Sequence, residues 1–372
     1  MPGPDISELV SKAKEFKLRL DSLKGRFKSA EFEWYPYNSL STFDHLDRLL
    51  TGKNRLLLDL IGDRPLIDLG CGDGDISFFL ESLGCKVHAI DYSPPNHNSM
   101  RGVRTLRDAL QSKVEIYDMN LDGVFSPPSA SYGVAFLLGA LYHLRNPFHV
   151  LELLSRHVKY CVMSTRIAAV LPGSAVSIRR EPIAYLVDED ELNSDNSNYW
   201  IFSDSGLRRL LKRTHWDILD YVTVGEAACS DPIRADRDER AFCLARSNFA
   251  LGNVELLYGW HEAEEEGWRW TRGRFAVQAR PSHVPASLLR MRLFIPQAVM
   301  ERLGSVTLYA SIDGCALVPE KFTDPGIYTY HRPLGHSGEG ALEVSFWLDR
   351  ILEPGEGDDR ELGIIVSSLT VE

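Results

Sequence analysis

The chain has 372 residues, of which 44% are hydrophobic and 25% charged, as in ordinary globular proteins. This length suits two folded units better than one. The net charge of −11 opposes binding to a large polyanion unless a local basic face outweighs it. The sequence has no signal-peptide pattern and no stretch apolar enough to cross a membrane, so we expect a cytoplasmic protein. Six scattered cysteines without a Cys-x-x-Cys pair argue against a zinc site and a disulfide framework.

The first 55 residues predict a helical and aromatic segment. Apolar positions at helical spacing predict helices over 5–28 and 41–52, separated by an aromatic loop at 32–38. The first helix is rich in lysine and arginine, which indicates a solvated face or, alternatively, an arm that contacts phosphates. We expect the aromatic loop to cover a ligand pocket.

Strand and helix signals alternate from residue 65 onward, which predicts a parallel sheet with helices on both faces. A polar stretch without periodicity follows residue 166 and predicts a functional loop. The predicted elements are strand 65–69, helix 74–83, strand 86–91, helix 99–111, strands 113–117 and 132–138, helix 147–157, strand 158–164, helix 204–215, and strands 217–225 and 240–246.

The first of these strands runs directly into a glycine-rich turn. The run Leu66–Gly74 is apolar up to Asp68 and then has glycine at positions 70, 72 and 74. Such glycines let the backbone turn tightly and approach a nucleoside-bearing ligand. The nicotinamide fingerprint requires a third glycine at position 75, which is Asp75, so a dehydrogenase is disfavoured. The carboxylate of Asp68 suits an ammonium group better than a pyrophosphate.

The turn resembles motif I of the class I S-adenosylmethionine-dependent methyltransferases, and the order of elements up to about residue 247 is similar to that family. The resemblance implies a seven-stranded Rossmann-like α/β domain over 56–248, a last strand antiparallel to its neighbours, and S-adenosylmethionine as cofactor. Asp91, about twenty residues beyond the first glycine, ends the second strand, where a carboxylate can take the ribose hydroxyls. The implied cofactor-binding residues are Asp68, Gly70, Cys71, Gly72, Gly74, Asp91, Tyr92, Asp118, Met119 and Leu138, with Asp118 and Met119 at the adenine.

The loop after the fourth strand, Gly139 to Pro147, also resembles loops of this class. It places His143 at the methyl-transfer region, either as a general base or as a residue that shapes the pocket floor through a hydrogen bond. No metal is expected. Candidate acceptor-binding residues lie in the aromatic N-terminal loop, around the polar stretch and at the last strand: Tyr35, Tyr37, Arg166, Arg179, Tyr185, Tyr199, Trp200 and Arg240.

The sequence pattern of residues 32–247 resembles that of the methyltransferases of the tRNA wobble uridine. In the member of that family that uses a carboxylated cofactor, an arginine and a lysine hold the extra carboxylate. Arg240 matches the arginine, but the aromatic segment Trp34–Tyr37 offers no lysine, so ordinary S-adenosylmethionine is expected. The acidity of the chain further weakens a tRNA acceptor.

Residues 249–372 change to short β-rich runs without a helix-length period, which predicts a β-sandwich. The predicted strands are 274–278, 288–295, 306–312, 342–348 and 362–371. Two segments, 259–271 and 360–364, resemble modules appended to enzymes of surface-glycan assembly. The tryptophans Trp260, Trp268 and Trp270 could stack on sugars, but core packing is the expected role. Similarly, we expect His261 and its acidic neighbours to form an exposed polar turn.

Together these features predict a methyltransferase acting on a hydroxyl, or less favourably an amine, of a small molecule or saccharide. Two alternatives stay open. One is a tRNA wobble-uridine methyltransferase, and the other is a glycan-binding protein with a degenerate methyltransferase domain.

Overall fold

The computed structural model describes residues 3–27, 32–123, 125–129, 131–247, 254–264, 268–279, 288–334, 342–355 and 358–371. The chain divides into two compact units, Met1–Ser247 and Asn248–Glu372. Among the described helices, none is both long enough and apolar enough to span a bilayer.

Three helices precede the central sheet: α1 Ile6–Arg26, α2 Thr42–Leu49 and α3 Leu57–Ile61. The first two were predicted, and residue 28 lies outside the described residues. Asp5 caps α1 by accepting a hydrogen bond from the Ser7 backbone N–H at 3.0 Å. The buried face of α1 packs into the same hydrophobic core as the central sheet. The N-terminal segment is therefore part of the first unit.

The central elements follow the predicted alternation with boundaries shifted by a few residues. They are β1 Leu66–Leu69, α4 Asp75–Ser82, β2 Val87–Asp91, α5 Arg101–Leu110, β3 Glu115–Asp118, β4 Tyr132–Leu138, α6 Pro147–His157, β5 Val158–Ala168, β6 Ala184–Leu186, β7 Trp200–Ser203, α7 Asp204–Arg213, β8 Trp216–Gly225 and β9 Glu239–Ser247.

The main sheet has the strand order β3-β2-β1-β4-β5-β9-β8. The first five strands are parallel, whereas β9 is antiparallel to both β5 and β8, as predicted for the last strand. Two separate cores cover the two faces of this sheet. The strand order reverses beside β1, where open α/β sheets bind their ligands at the carboxyl ends of the strands.

The polar stretch after β5 is more ordered than predicted. β5 continues to Ala168, and its end pairs with β7, which in turn pairs with β6. A small core of its own supports this segment, formed by Ala168, Ile178, Val187, Leu192 and Ile201. The prediction of a loop was wrong for β6 and β7, because strands of three and four residues are too short to show a period.

The second unit contains mostly antiparallel strands. Its elements are β10 Val254–Ala263, β11 Arg269–Ala279, β12 Leu288–Ile295, α8 Gln297–Leu303, β13 Val306–Ile312, β14 Cys315–Ala316, β15 Glu320–Phe322, β16 Gly326–Pro333, β17 Leu342–Leu348 and β18 Ile365–Val371. The expectation of no helix was wrong for α8, which has only seven residues.

The strands of this unit enclose one core. β11 pairs with β17 over residues 274–279 and with β18 over 269–270, so two groups of strands meet along it. Inward side chains from both groups, such as Val344 of β17 and Leu369 of β18, belong to the same hydrophobic cluster. This arrangement confirms the predicted all-β region. Trp260 packs against that core and donates from Nε1 to the Ala276 carbonyl at 2.8 Å, as the core role requires.

Candidate functional site

The glycine-rich turn joins β1 to α4 through three residues with left-handed backbone. The φ angles of Gly70, Gly72 and Gly74 are 76°, 58° and 82°, which side chains other than glycine rarely adopt. A Cβ at Gly74 would lie 2.7 Å from atoms of Phe78 and Val103. At Gly72 the nearest protein atom would be 3.6 Å away, on the Tyr35 ring. A Cβ at Gly72 would therefore make an ordinary contact with the Tyr35 ring, which lies over this part of the turn.

Asp68 is a buried carboxylate at the carboxyl end of β1. It is 3% exposed and accepts a hydrogen bond from Ser77 Oγ at 2.6 Å. Burial, opposed by the hydrogen bond from Ser77 and aided by the nearby charge of Asp91, raises the pKa of Asp68 to about 6. Within the described residues no cation pairs with this carboxylate. An ammonium group of a bound molecule would supply that missing positive charge.

Asp91 ends β2 beside the glycine turn. Its Oδ2 accepts from the backbone N–H of Gly72 and its Oδ1 from that of Tyr92, both at 2.8 Å. Burial raises the pKa of Asp91 despite these hydrogen bonds. The two backbone contacts fix the carboxylate at the edge of the sheet, while its contact with ribose hydroxyls remains a prediction.

Asp118 and Met119 follow β3 at the same edge. Asp118 accepts from the Ser93 backbone N–H at 3.0 Å and from the Ser93 hydroxyl, and these contacts lower the pKa of Asp118. The Met119 N–H donates to the Asp91 carbonyl at 2.8 Å. The turn after β3 is thus tied to the turn after β2, while contact with adenine remains a prediction.

The other predicted cofactor residues lie at neighbouring strand ends. Cys71 is buried in the glycine turn, and burial raises its thiol pKa well above the ordinary value. The side chain of Tyr92 is 37% exposed. Leu138 ends β4, and the following residue, Gly139, donates to the Ser164 carbonyl at 2.9 Å.

The aromatic N-terminal loop packs over the glycine turn. The Tyr35 backbone N–H donates to Asp73 Oδ2 at 2.8 Å, and Asn98 holds the other oxygen of Asp73 at 2.7 Å. The rings of Tyr35 and Tyr37 are 5.3 Å apart. Asp73 is only 3% exposed, so this connection is a buried one. Its role depends on tertiary contacts and could not be inferred from the sequence.

Lys24, near the end of α1, strengthens the same connection. Its Nζ lies 3.2 Å from Asp73 and 2.9 Å from Asp75. Burial alone would lower the pKa of Lys24, but the two carboxylates raise it overall. The first helix, the aromatic loop and the glycine turn therefore share one ion cluster. The lysine-rich composition of α1 indicated a solvated face or a phosphate-contacting arm, and the buried Lys24 fits neither.

His143 lies in a short 3₁₀ turn, Leu141–His143, after β4. Its Nδ1 is 3.0 Å from the Ser197 carbonyl oxygen and 3.0 Å from Ser197 Oγ. Because a carbonyl can only accept, Nδ1 carries the proton and Nε2 presents a lone pair. Burial lowers the pKa of His143, more than the contact with Ser197 raises it. The imidazole is therefore neutral near pH 7 and able to accept a proton.

Arg240 of β9 lies near Tyr142, whose ring centre is 4.2 Å from that of the His143 imidazole. Its guanidinium carbon is 5.8 Å from the centre of the Tyr142 ring, and its Nε is 3.0 Å from Asp238. The positive charge of Arg240 lowers the pKa of both His143 and Tyr35. Burial, with smaller effects from Tyr142 and other groups, raises the pKa of Tyr35 to about 12. Tyr142 belongs to this cluster but was absent from the predicted site residues.

The remaining predicted acceptor residues contact other parts of the fold. Arg166 is buried, 3.1 Å from Asp238, and donates to the Asp231 carbonyl at 2.8 Å. The other contacts are Arg179 with Glu239 at 2.6 Å, Tyr185 with Glu191 at 2.8 Å, Tyr199 with Arg145 at 2.9 Å, and Trp200 with the Arg145 carbonyl at 3.0 Å. Their contact with an acceptor remains a prediction, and Arg240 is the member of this group near Tyr142.

Comparisons with known proteins agree with this geometry. Residues 43–221 match a family model described as a methyltransferase domain. The tRNA U34 carboxymethyltransferase of Shewanella sp. (strain W3-18-1) is 26% identical over 178 residues, which are 47% of this chain and 50% of the relative. The cypemycin N-terminal methyltransferase of Streptomyces sp is 29% identical over 28% of this chain and 44% of the relative. The chain thus spans about half the length of these curated relatives or less.

Among solved structures, the N-terminal domain of EvdMO1 with SAH bound superposes with a TM-score of 0.41 and 12% identity, covering 66% of this chain and 98% of that one. The family match covers the glycine turn and the acidic residues at the strand ends. Over residues 43–221 the first unit is therefore similar to the methyltransferases, with a Rossmann-like fold, and these findings support S-adenosylmethionine as its cofactor.

Proposed function

We propose that the protein transfers a methyl group from S-adenosylmethionine to a hydroxyl of a small molecule or saccharide. The observation that carries the proposal is the neutral His143 in the turn after β4, whose Nδ1 donates to the Ser197 carbonyl and whose ring centre lies 4.2 Å from that of Tyr142. A hydroxyl acceptor needs such a base more than an amine does, because its proton must leave as the new bond forms.

We assign one group of residues to the cofactor and a second group to the acceptor. Asp68 would hold the amino group of the cofactor and Asp91 the ribose hydroxyls, which fixes the direction of the reactive group. The bound cofactor supplies a methyl group attached to a positively charged sulfur, which is already a strong electrophile. His143 would take the proton of the acceptor hydroxyl at Nε2 while the acceptor oxygen bonds to the methyl carbon and the carbon–sulfur bond breaks. Tyr35, Tyr142 and Arg240 would orient the acceptor.

A tRNA wobble uridine is the second candidate acceptor, favoured by the similarity to tRNA U34 carboxymethyltransferases. The net charge of −11 opposes it. A lysine near the aromatic loop does exist, since Lys24 Nζ lies 5.5 Å from the Trp34 ring centre. However, its ammonium group pairs with Asp73 and Asp75, so it is unsuited to holding a carboxylated cofactor.

Two measurements test the proposal. Isothermal titration calorimetry should show binding of S-adenosylmethionine and S-adenosylhomocysteine but not of NADH. Methyl transfer is then followed with labelled cofactor, using small hydroxylated molecules, oligosaccharides, amines and unmodified tRNA as separate acceptors. Incorporation into tRNA alone would contradict the proposal, and cofactor binding without transfer to any acceptor would favour the degenerate-domain alternative.

The role of His143 is tested by His143→Ala on whichever acceptor is methylated. We expect cofactor affinity to stay near the wild-type value and turnover to fall by roughly 10²- to 10⁴-fold. His149→Ala, which changes an exposed histidine of α6, is the matched control and should retain full turnover. If both variants turn over equally fast, His143 shapes the pocket and is not the base.

A further inference from the structure

The outward face of the carboxy-terminal sheet carries an aromatic cavity that methyl transfer does not use. We propose that this cavity binds a pyranose ring of a saccharide, with Trp347 as the platform and Arg274 as a hydrogen-bond donor. The proposal goes beyond the proposed function and does not depend on it, because it rests on residues of the second unit alone.

The strand register brings the required side chains together. Trp347 of β17 lies opposite Tyr309 of β13 on one side and opposite Arg274 of β11 on the other. Side chains alternate along a strand, so Trp347 and Ser345 face away from the core that Phe346 enters. The Trp347 and Tyr309 rings are stacked, with centres 5.3 Å apart and planes within 5°. Tyr309 therefore covers one face of the indole and holds its plane in place.

The other side of Trp347 borders the cavity. This cavity has a volume of about 300 Å³, and the residues that line it are Tyr258, Arg274, Ser345, Phe346 and Trp347. The Tyr258 side chain, from the neighbouring strand β10, is 52% exposed. A sugar ring has an apolar C–H face that packs against a fixed aromatic plane, and a rim of hydroxyls that needs polar partners.

The polar groups of the cavity favour a saccharide over other ligands. Arg274 is exposed and has neither an ion pair nor a side-chain hydrogen bond with any residue the structure describes. A wholly apolar ligand would remove this guanidinium from water without giving it a partner. Ser345 donates to Glu343 at 3.1 Å, and that carboxylate opposes a polyphosphate. Sugar oxygens can accept from Arg274 without bringing several negative charges.

The test is binding of the full-length protein, without cofactor, to an array of neutral and uronate-containing oligosaccharides. Titration calorimetry then measures the affinity for each saccharide retained. Trp347→Ala and Arg274→Ala should each weaken binding by roughly tenfold or more. The matched controls are Phe294→Ala and Arg292→Ala, which remove an exposed aromatic side chain and an exposed arginine side chain from β12. They should bind as the wild type does.

Retention of no saccharide by the wild type would overturn the proposal, as would equal binding by Trp347→Ala. Circular dichroism of each variant separates loss of the site from loss of the fold. S-adenosylhomocysteine binding is measured on the same samples. Because that binding belongs to the first unit, failure of the saccharide test leaves the methyltransferase proposal standing, and failure of methyl transfer leaves the saccharide site standing.

Discussion

The burial of the Asp68 carboxylate favours binding of a cationic group but lowers the stability of the fold. Its carboxylate is buried without a cationic partner among the described residues, and its pKa is raised to about 6. Since the pKa in the unfolded chain is near 3.9, the folded protein loses stability as the pH rises through this interval. The difference corresponds to about 3 kcal/mol at neutral pH. We propose that the same unpaired charge attracts the ammonium group of the cofactor.

Asp68→Asn separates these two effects. We expect the free energy of unfolding of the cofactor-free protein to rise by roughly 1–3 kcal/mol at pH 7.5, because the variant buries no charge. S-adenosylhomocysteine binding should be lost. Urea denaturation and calorimetry measure the two quantities, and Asp63→Asn, in an exposed turn, is the control. A variant that binds normally would show that this carboxylate does not hold the amino group.

Two glycines of the turn should respond differently to alanine. Gly74→Ala forces a Cβ to 2.7 Å from Phe78 and Val103, so we expect a loss of about 2–4 kcal/mol in the free energy of unfolding. Gly72→Ala meets no protein atom closer than 3.6 Å, so its stability loss should be about 1–2 kcal/mol, from the left-handed backbone alone. Its main effect should be weaker cofactor binding. Denaturation and calorimetry on both variants check this contrast.

The positions of the candidate cofactor residues could be predicted because these residues are local to strand ends. Asp68 and Asp91 are identified by their positions relative to a glycine turn, and the sequence contains those positions directly. Asp73 and Tyr142 were missed because their partners are remote in sequence: Asp73 binds the backbone of Tyr35, and Tyr142 lies against Arg240. Such pairs depend on the folded arrangement of several elements.

At the level of elements, the contact between α1 and the glycine turn rests on one buried lysine. Lys24→Met should lower the free energy of unfolding by about 3 kcal/mol, since it leaves two buried carboxylates without their cation. Lys14→Met removes an ion pair of the same helix whose lysine side chain is 66% exposed, and should cost less than about 1 kcal/mol. Urea denaturation of both variants provides the comparison. Equal losses would mean that the cluster around Lys24 contributes no more than a surface pair.

Several long elements with a clear period were predictable, whereas the strands β10 and β16 and the short elements were not. β12, β13 and β17 begin and end where the alternation of apolar residues predicts. β6, β14 and α8 were missed because two to seven residues give no measurable period, and pairing with neighbouring strands or packing determines their conformation.

At the level of the whole molecule, each unit has its own hydrophobic core. We therefore expect differential scanning calorimetry of the full chain to show two unfolding transitions. S-adenosylhomocysteine at 100 times its dissociation constant should stabilise one of them by about 2.7 kcal/mol and leave the other unchanged. Asp68→Asn should abolish the shift. A single transition that moves as a whole would show that the two units unfold together.

The division into two units was predictable from the change in sequence pattern near residue 250, because apolar residues no longer recur at helical spacing beyond that point. The function of the second unit was harder to predict from the sequence. Trp260, a candidate for sugar stacking, packs against the core, whereas the half-buried pair Tyr309 and Trp347 comes from strands far apart in the sequence.

The buried state of Asp68 also has a thermochemical consequence. Near pH 6 about half of the cofactor-free molecules carry a proton on this carboxylate. An arriving ammonium group selects the ionised form, so each binding event releases a fraction of a proton to the buffer, and affinity declines as the pH falls below 6. The heat measured at pH 6 should then differ between phosphate and a buffer of high ionisation enthalpy, whereas at pH 8 the two should agree.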